Sequence, residues 1–187
     1  GDKFIWRNTY TLPDGLVVAS DSAFDLREGR EGQLLWGPTN RTAEPSIGMG
    51  PYREGVYVSF VKEKMIWYGY DANTGAQIWG PTEPYTDPWG MYGSTAEIAY
   101  GKMYTMGYGG TVYCWDVKTG KKLWEYYTGS AGLETPYGHY PQWEGMTVAD
   151  GKVYVTTYEH SPNSPLSRGA RMHCINVETG ALVWNIL

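Results

Sequence analysis

The chain has 187 residues, enough for one domain with a sizeable core. Its formal net charge of −5 is accompanied by no run of Lys or Arg, which argues against a nucleic-acid partner. No apolar stretch approaches the roughly 18–20 residues that would span a bilayer. Aromatic residues are abundant, with 17 Tyr and 9 Trp against 3 Phe. Tyr and Trp suit half-buried strands, because each joins an apolar ring to a polar tip.

Short strand-forming segments, separated by Gly pairs or Thr-Gly turns, follow one another along the chain. The predicted strands are 55–61, 64–71 and 76–79; then 96–100, 102–107, 111–116 and 122–126; then 145–148, 152–158, 170–176 and 181–184. Segments 128–140 and 159–170 are predicted to be long loops. No window has a convincing helical period, and 25 Gly and 11 Pro interrupt the chain too often for ordinary helices. We therefore predict an all-β chain.

A nine-residue phrase that ends in tryptophan occurs four times. Its pattern is Asp/Asn-x-x-Thr-Gly-x-x-x-Trp, and the copies occupy residues 28–36, 71–79, 116–124 and 176–184, with the first copy degraded. The four tryptophans stand 43, 45 and 60 residues apart, and the first two intervals are typical of four-stranded propeller blades. We predict a single propeller domain over 1–187, with approximate blades at 10–38, 47–81, 91–128 and 143–187.

The repeated residues have structural explanations. The leading Asp or Asn accepts hydrogen bonds from backbone N–H groups two and three residues later, and the Gly adopts the positive φ that returns the outer strand. The Trp then buries about 150–250 Å² against the neighbouring blade. We assign these roles to Asp71, Asp116 and Asn176, to Gly75, Gly120 and Gly180, and to Trp36, Trp79, Trp124 and Trp184.

The segments Tyr70–Trp79 and Trp115–Trp124 resemble the repeats of the quinoprotein-like (PQQ-like) β-propellers. The resemblance covers nearly the whole chain and implies a β-propeller of four-stranded antiparallel blades. Family propellers usually have seven or eight blades, so about four blades imply part of a larger ring with exposed terminal faces. The WD-type propellers are the competing family. Their Trp-Asp dipeptide occurs once, at Trp115-Asp116, and no Gly-His element precedes it.

The resemblance implies two classes of function, because the superfamily includes quinone-dependent dehydrogenases and non-catalytic relatives. The dehydrogenases hold their cofactor with a disulfide between adjacent cysteines, a calcium site and a catalytic Asp. Here Cys114 and Cys174 are 60 residues apart and read as buried thiols rather than as a disulfide or a metal site. We therefore expect no catalytic residue, cofactor or metal. The alternative is a fragment of a PQQ- and calcium-dependent dehydrogenase.

Loops rich in aromatic residues between the repeats supply the candidate ligand face. Either these residues pack the top of the channel, or they bind sugar rings or a peptide. The candidates are Tyr85, Asp87, Trp89, Tyr92, Tyr137, His139, Tyr140 and Trp143.

The function expected from these features is that of a non-catalytic binding or scaffold module for proteins or carbohydrates. The resemblance places it outside the cytoplasm: extracellular, at the cell surface or periplasmic. A further alternative is self-association, in which blades stack between chains, or association with missing blades. The sequon Asn40-Arg41-Thr42 adds weak support for an extracellular location.

Overall fold

The computed structural model describes residues 10–11, 16–18, 22–39, 47–92, 95–157 and 171–187. Within these ranges the chain forms sixteen strands and one short 3-10 helix at Pro88–Met91. No helix among the described residues is long and apolar enough to cross a membrane. The sequon at 40–42, the predicted loop 159–170 and its His160 lie outside the described residues.

The strands form four sheets, each an antiparallel meander in which consecutive strands are neighbours. The predicted all-β architecture of four-stranded antiparallel sheets is therefore confirmed. The strands of the four sheets are, in order, β1 (Tyr10–Thr11), β2 (Leu16–Val18), β3 (Ala23–Asp25) and β4 (Gln33–Trp36); β5 (Ile47–Arg53), β6 (Val56–Val61), β7 (Ile66–Asp71) and β8 (Gln77–Trp79); β9 (Thr95–Ala99), β10 (Lys102–Met106), β11 (Thr111–Asp116) and β12 (Lys122–Tyr127); β13 (Gln142–Ala149), β14 (Lys152–Thr157), β15 (Arg171–Asn176) and β16 (Leu182–Ile186).

The core lies between neighbouring sheets, which pack face to face. The second and third sheets bury one shared cluster that includes Val58, Trp67, Ile98, Met103 and Trp115. Comparable clusters join the first sheet to the second and the third to the fourth. The first strands of the later sheets also lie side by side, β5 against β9 and β9 against β13. Each sheet thus depends on its neighbours to bury its apolar faces.

One tryptophan joins each sheet to the next through a hydrogen bond. Its indole Nε1–H donates to a backbone carbonyl in the turn of the next sheet. That carbonyl belongs to the residue directly after the leading Asp or Asn. The three bonds are Trp36 to Ala72 at 2.6 Å, Trp79 to Val117 at 2.8 Å, and Trp124 to Val177 at 3.0 Å. We call this arrangement the Trp-turn joint.

The glycine of each receiving turn makes room for that indole. A Cβ added there would lie within van der Waals overlap of the ring: 2.5 Å for Gly75 and Trp36, 2.5 Å for Gly120 and Trp79, and 2.7 Å for Gly180 and Trp124. These glycines also have φ values of 69° to 73°, which disfavour other residues. Two separate constraints therefore require glycine at the same position.

The leading acid or amide of each turn organises the backbone beneath the indole. Asp116 Oδ1 accepts hydrogen bonds from the N–H groups of Lys118 at 3.0 Å and Thr119 at 2.8 Å. Asp71 and Asn176 make the same pair of bonds in their own turns. The carboxylates of this repeat are thus used in turns and are not free for chemistry.

The first copy of the phrase begins at Asp25, not at Glu28. Ala23 pairs with Trp36 as Cys114 pairs with Trp124, which places Asp25 at the position of Asp116. Gly32 N–H donates to Asp25 C=O at 2.8 Å, as Gly120 N–H does to Asp116 C=O. A turn that is three residues longer moved the acid away from its expected spacing. Hydrogen bonds from the Arg27 guanidinium hold the pKa of Asp25 at about 2.

The two cysteines are free and buried at equivalent positions of β11 and β15. Burial raises the pKa of the Cys114 thiol to about 12. A neutral, inaccessible thiol is a poor nucleophile. Both cysteines therefore act as small apolar residues of the packed sheets.

Candidate functional site

The segment from β8 to β9 carries the first part of the candidate site. Its 3-10 helix is capped by Asp87, whose Oδ1 accepts a hydrogen bond from Trp89 N–H at 2.7 Å. Pro88 occupies a first-turn position, where its missing N–H costs nothing. The cap fixes the direction in which the next residues leave the turn. As a result Trp89 and Tyr92 are both held on the outside, at 37% and 43% exposure.

Four aromatic rings from three separate segments meet beside this helix. Trp89 contacts Tyr137 edge-on at 5.1 Å between ring centroids, and Tyr137 lies 5.0 Å from Tyr108. Tyr92 closes the group at 6.1 Å from Trp89 and 6.4 Å from Tyr108. These spacings are typical of favourable ring pairs. We call Trp89, Tyr92, Tyr108 and Tyr137 the aromatic cluster.

Close backbone contacts bring the turn between β10 and β11 under the cluster. Tyr108 N–H donates to Tyr92 C=O at 3.0 Å. A Cβ on Gly107 would lie 2.7 Å from Gly90 O, and one on Gly109 would lie 2.9 Å from Asp87 Cβ. The close contact of the two backbones therefore explains why glycines flank Tyr108 in Gly107-Tyr108-Gly109-Gly110. Tyr108 was missed as a candidate, although its flanking glycines were the available signal.

A chain of three polar side chains borders the aromatic cluster. His139 Nε2 lies 2.6 Å from Asp87 Oδ2, and His139 Nδ1 lies 2.7 Å from the Tyr127 hydroxyl. With a neutral imidazole, Nε2–H donates to the carboxylate and Nδ1 accepts from Tyr127. Burial, with Asp87 as a further cause, raises the pKa of Tyr127. The chain ties the loop before β9 to the loop before β13 and leaves Tyr127 half exposed.

One cation lies beside the cluster. Lys62, in the turn between β6 and β7, places Nζ 4.8 Å from the ring centroid of Tyr92. That distance is within the range of a cation–π contact. Burial raises the pKa of Tyr108, and Tyr137 adds to the shift. The face therefore offers aromatic surface, a carboxylate and a lysine.

The remaining candidates do not join the cluster. Tyr85 is 3% exposed and its hydroxyl accepts a hydrogen bond from Trp67 Nε1 at 2.8 Å, so it belongs to the core rather than to a ligand face. Tyr140 donates to Glu134 Oε2 at 3.3 Å, in the loop before β13. Trp143 lies on β13, but its side chain is outside the described part of the structure.

His173, the other described histidine, is a core residue. It is buried on β15, and its Nδ1 lies 3.0 Å from the Tyr126 hydroxyl. Burial lowers its pKa, and Arg171 adds to this effect. The imidazole is therefore held in its neutral form by the packing between the third and fourth sheets.

The described residues do not form the cofactor elements that dehydrogenases of this fold use. Cys114 and Cys174 lie on different sheets and are both free. Nowhere in the described ranges do three His, Cys, Asp or Glu side chains converge to hold a metal. These donors thus do not fit a quinone and calcium site.

Comparisons with known proteins agree with the geometry. A family model described as "Outer membrane protein assembly factor BamB" matches residues 62–187. No curated protein matches the chain.

Solved structures of the same fold match almost the whole chain. BamB from Moraxella catarrhalis is 20% identical with a TM-score of 0.58, over 95% of this chain but 47% of its own. Quinohemoprotein alcohol dehydrogenase from Comamonas testosteroni is 16% identical with a TM-score of 0.64, over 92% of this chain and 33% of its own. The computationally designed Ika4 protein is 14% identical with a TM-score of 0.53, over 90% of this chain and 84% of its own. The chain thus spans about half of the BamB structure.

Proposed function

Because this chain belongs to the family described as outer membrane protein assembly factor BamB, we propose that it is a non-catalytic β-propeller binding module. Its aromatic cluster binds an extended protein segment outside the cytoplasm. The observation that carries this proposal is the meeting of four rings, two of them more than one-third exposed, from three different segments. Aromatic groups of this kind dominate binding energy at protein interfaces.

Two features favour a protein segment over a carbohydrate. The family description names protein assembly, and an assembly factor acts on other polypeptides. The rings of the cluster are tilted by 40° to 73° in all four of its contacts, so they form facets for separate side chains rather than one flat platform for a sugar. Lys62 and Asp87 beside the rings supply polar contacts of both charge signs. Carbohydrate binding is the competing outcome of the test.

The family description also supports the proposed location outside the cytoplasm. The family description names the outer membrane, which a periplasmic or surface module can reach. The net charge of −5 and the absence of a basic run also suit a partner other than nucleic acid.

Calorimetric titration with two probes tests the proposal. One probe is a short peptide that alternates aromatic with polar residues, and the other is a glucose oligosaccharide. We expect the peptide to bind. Trp89→Ala should raise the Kd of the peptide by about tenfold or more, which corresponds to ~1.4 kcal/mol. Preferential binding of the oligosaccharide would show that the site binds carbohydrates instead.

A matched control distinguishes binding at the aromatic cluster from nonspecific binding to any exposed aromatic residue. Tyr100 is an aromatic residue at the opposite end of the third sheet, in the turn between β9 and β10, and at 49% it is more exposed than Trp89. Its φ of 56° is tolerated by Asn, so Tyr100→Asn removes the ring without adding backbone strain. This variant should bind like the wild type. No binding of either probe, or equal losses in both variants, contradicts the proposal.

A further inference from the structure

The four rings of the aromatic cluster form a closed circuit of contacts. Between ring centroids, Tyr137 lies 5.1 Å from Trp89 and 5.0 Å from Tyr108. Tyr92 completes the circuit at 6.4 Å from Tyr108 and 6.1 Å from Trp89. All four side chains reach solvent, and those of Trp89 and Tyr92 are the most exposed. Several accessible rings therefore surround one centre.

The size of this circuit suits a single positive group. Sides of about 5–6 Å place the centre about 4 Å from each ring centroid, and a cation–π contact extends to about 6 Å. Neighbouring rings are tilted by 40° to 73°, so they line the sides of the circuit rather than lie in one plane. An organic cation on the solvent side of the centre is thus within reach of all four rings.

The protein already holds one of its own cations at this surface. Lys62 is exposed in the turn between β6 and β7, and its Nζ lies 4.8 Å from the ring centroid of Tyr92. In the described part of the chain, no carboxylate forms an ion pair with Lys62. The ring rather than a carboxylate therefore positions this ammonium group, as expected for a surface that attracts positive charge.

A carboxylate lies beside the circuit and can balance an incoming cation. Asp87 directly precedes the 3-10 helix that carries Trp89, and its side chain is 22% exposed. Each of its two oxygens has one partner, the N–H of Trp89 or the imidazole of His139, whereas an ionised carboxylate can accept about four hydrogen bonds. The net charge of −5 also favours a cation over an anion near this surface.

We propose that the aromatic cluster binds the cationic end of a basic side chain, a lysine ammonium or an arginine guanidinium, on the segment that it recognises. The incoming cation displaces Lys62 Nζ from Tyr92 and lies among the four rings beside Asp87. Because the cation belongs to the bound segment, its binding rests on the proposed function. Lys62 is then a competitor for the site, and its removal should strengthen binding.

Calorimetric titration with four peptides tests this proposal. The peptides share one sequence, are capped at both ends to remove terminal charges, and differ in a central lysine, arginine, norleucine or glutamate. Norleucine keeps the four-carbon side chain of lysine without its charge. We expect at least one basic peptide to bind about fivefold or more tightly than the norleucine peptide. Comparison of lysine with arginine identifies the preferred cation.

Two variants give opposite shifts that simple apolar packing would not produce. Lys62→Met removes the competing ammonium and keeps an unbranched stem, so it should tighten binding of the preferred basic peptide by about threefold. Asp87→Asn keeps a side chain that caps helices and removes the charge, so it should weaken that binding by about threefold. Neither change should alter the Kd of the norleucine peptide.

Lys121→Met is the matched control for Lys62→Met. Lys121 is exposed in the turn between β11 and β12, at the end of the third sheet opposite to the aromatic cluster. The substitution lowers the net charge by the same amount as Lys62→Met. It should leave the Kd of every peptide unchanged, and circular dichroism should show that all three variants remain folded.

Two results would overturn this proposal while leaving segment binding intact. One is equal binding of the basic and norleucine peptides. The other is a preference for the glutamate peptide that Lys62→Met abolishes, which would show that Lys62 pairs with an acidic ligand. A complete failure of all four peptides to bind would contradict the proposed function as well.

Discussion

The indole of Trp79 lies against Gly120, a residue 41 positions later in the chain, in the turn of the next sheet, and donates its hydrogen bond to Val117 C=O at 2.8 Å. One side chain thus meets the next sheet by shape and by hydrogen bonding at once. Removing either element should weaken the contact between the second and third sheets.

Gly120→Ala should therefore be more destabilising than a glycine substitution that carries only backbone strain. Gly151 is the matched control, because its φ of 66° resembles the 69° of Gly120 while no described atom lies within 4 Å of an added Cβ. Both variants incur the strain of positive φ, about 1 kcal/mol. Gly120→Ala must also displace the Trp79 ring, which adds about 1–3 kcal/mol. Urea denaturation measures the difference, and equal losses would contradict a tight joint.

Asp116→Ala should destabilise the protein by about 1 kcal/mol, because two backbone N–H groups lose their acceptor. Asp116→Asn should cost much less, since Asn176 makes the same two bonds in the fourth sheet. The urea midpoint reports both effects at unchanged slope. If the Asn variant loses as much as the Ala variant, the charge of Asp116 matters more than its hydrogen bonds.

Stability should fall as the pH falls through the range in which unfolded histidine binds a proton. Burial lowers the pKa of His173 below its ordinary value of 6.5, so between the two pKa values the unfolded state holds more protons than the folded state. The stabilising effect is complete above the unfolded pKa and is lost below it. We expect a smaller unfolding free energy at about pH 5.5 than at about pH 7.5.

His173→Gln assigns the source of that pH effect. Gln keeps a polar group near the Tyr126 hydroxyl and removes the titration. The variant should therefore depend less on pH over this interval, whereas His139→Gln should retain the part that is due to His173. A His173→Gln variant with the full pH dependence of the wild type would show that another group titrates.

The sequence predicted the sheets well because their turns repeat local chemistry. The identities of Asp116, Gly120 and Trp124 were predictable because each residue makes contacts within its own turn or with the matching turn of a neighbouring sheet. The first copy was misplaced because spacing alone favoured Glu28, while the pairing of Ala23 with Trp36 selects Asp25. Strand ends also moved by a few residues; β13, for example, begins at Gln142 rather than 145.

The candidate site was harder to predict, since its residues meet only through the packing of loops from different sheets. Tyr85 and Tyr92 are similar in the sequence, yet the first lies beneath the loop against Trp67 and the second faces outward. Tyr108 joined the site from the third sheet through close backbone contacts of its flanking glycines. Which tyrosine is buried therefore depends on distant partners.

The Asp87–His139 contact has a mechanical consequence. Asp87 belongs to the link between the second and third sheets, and His139 to the link between the third and fourth. This pair links the loops on either side of the third sheet, and the proposed ligand of the aromatic cluster would contact both loops. Any tilt of one sheet against the next would change the spacing of the rings. Occupancy of the cluster and the angle between sheets should therefore be coupled, so that a bound segment stiffens the row of sheets beneath it.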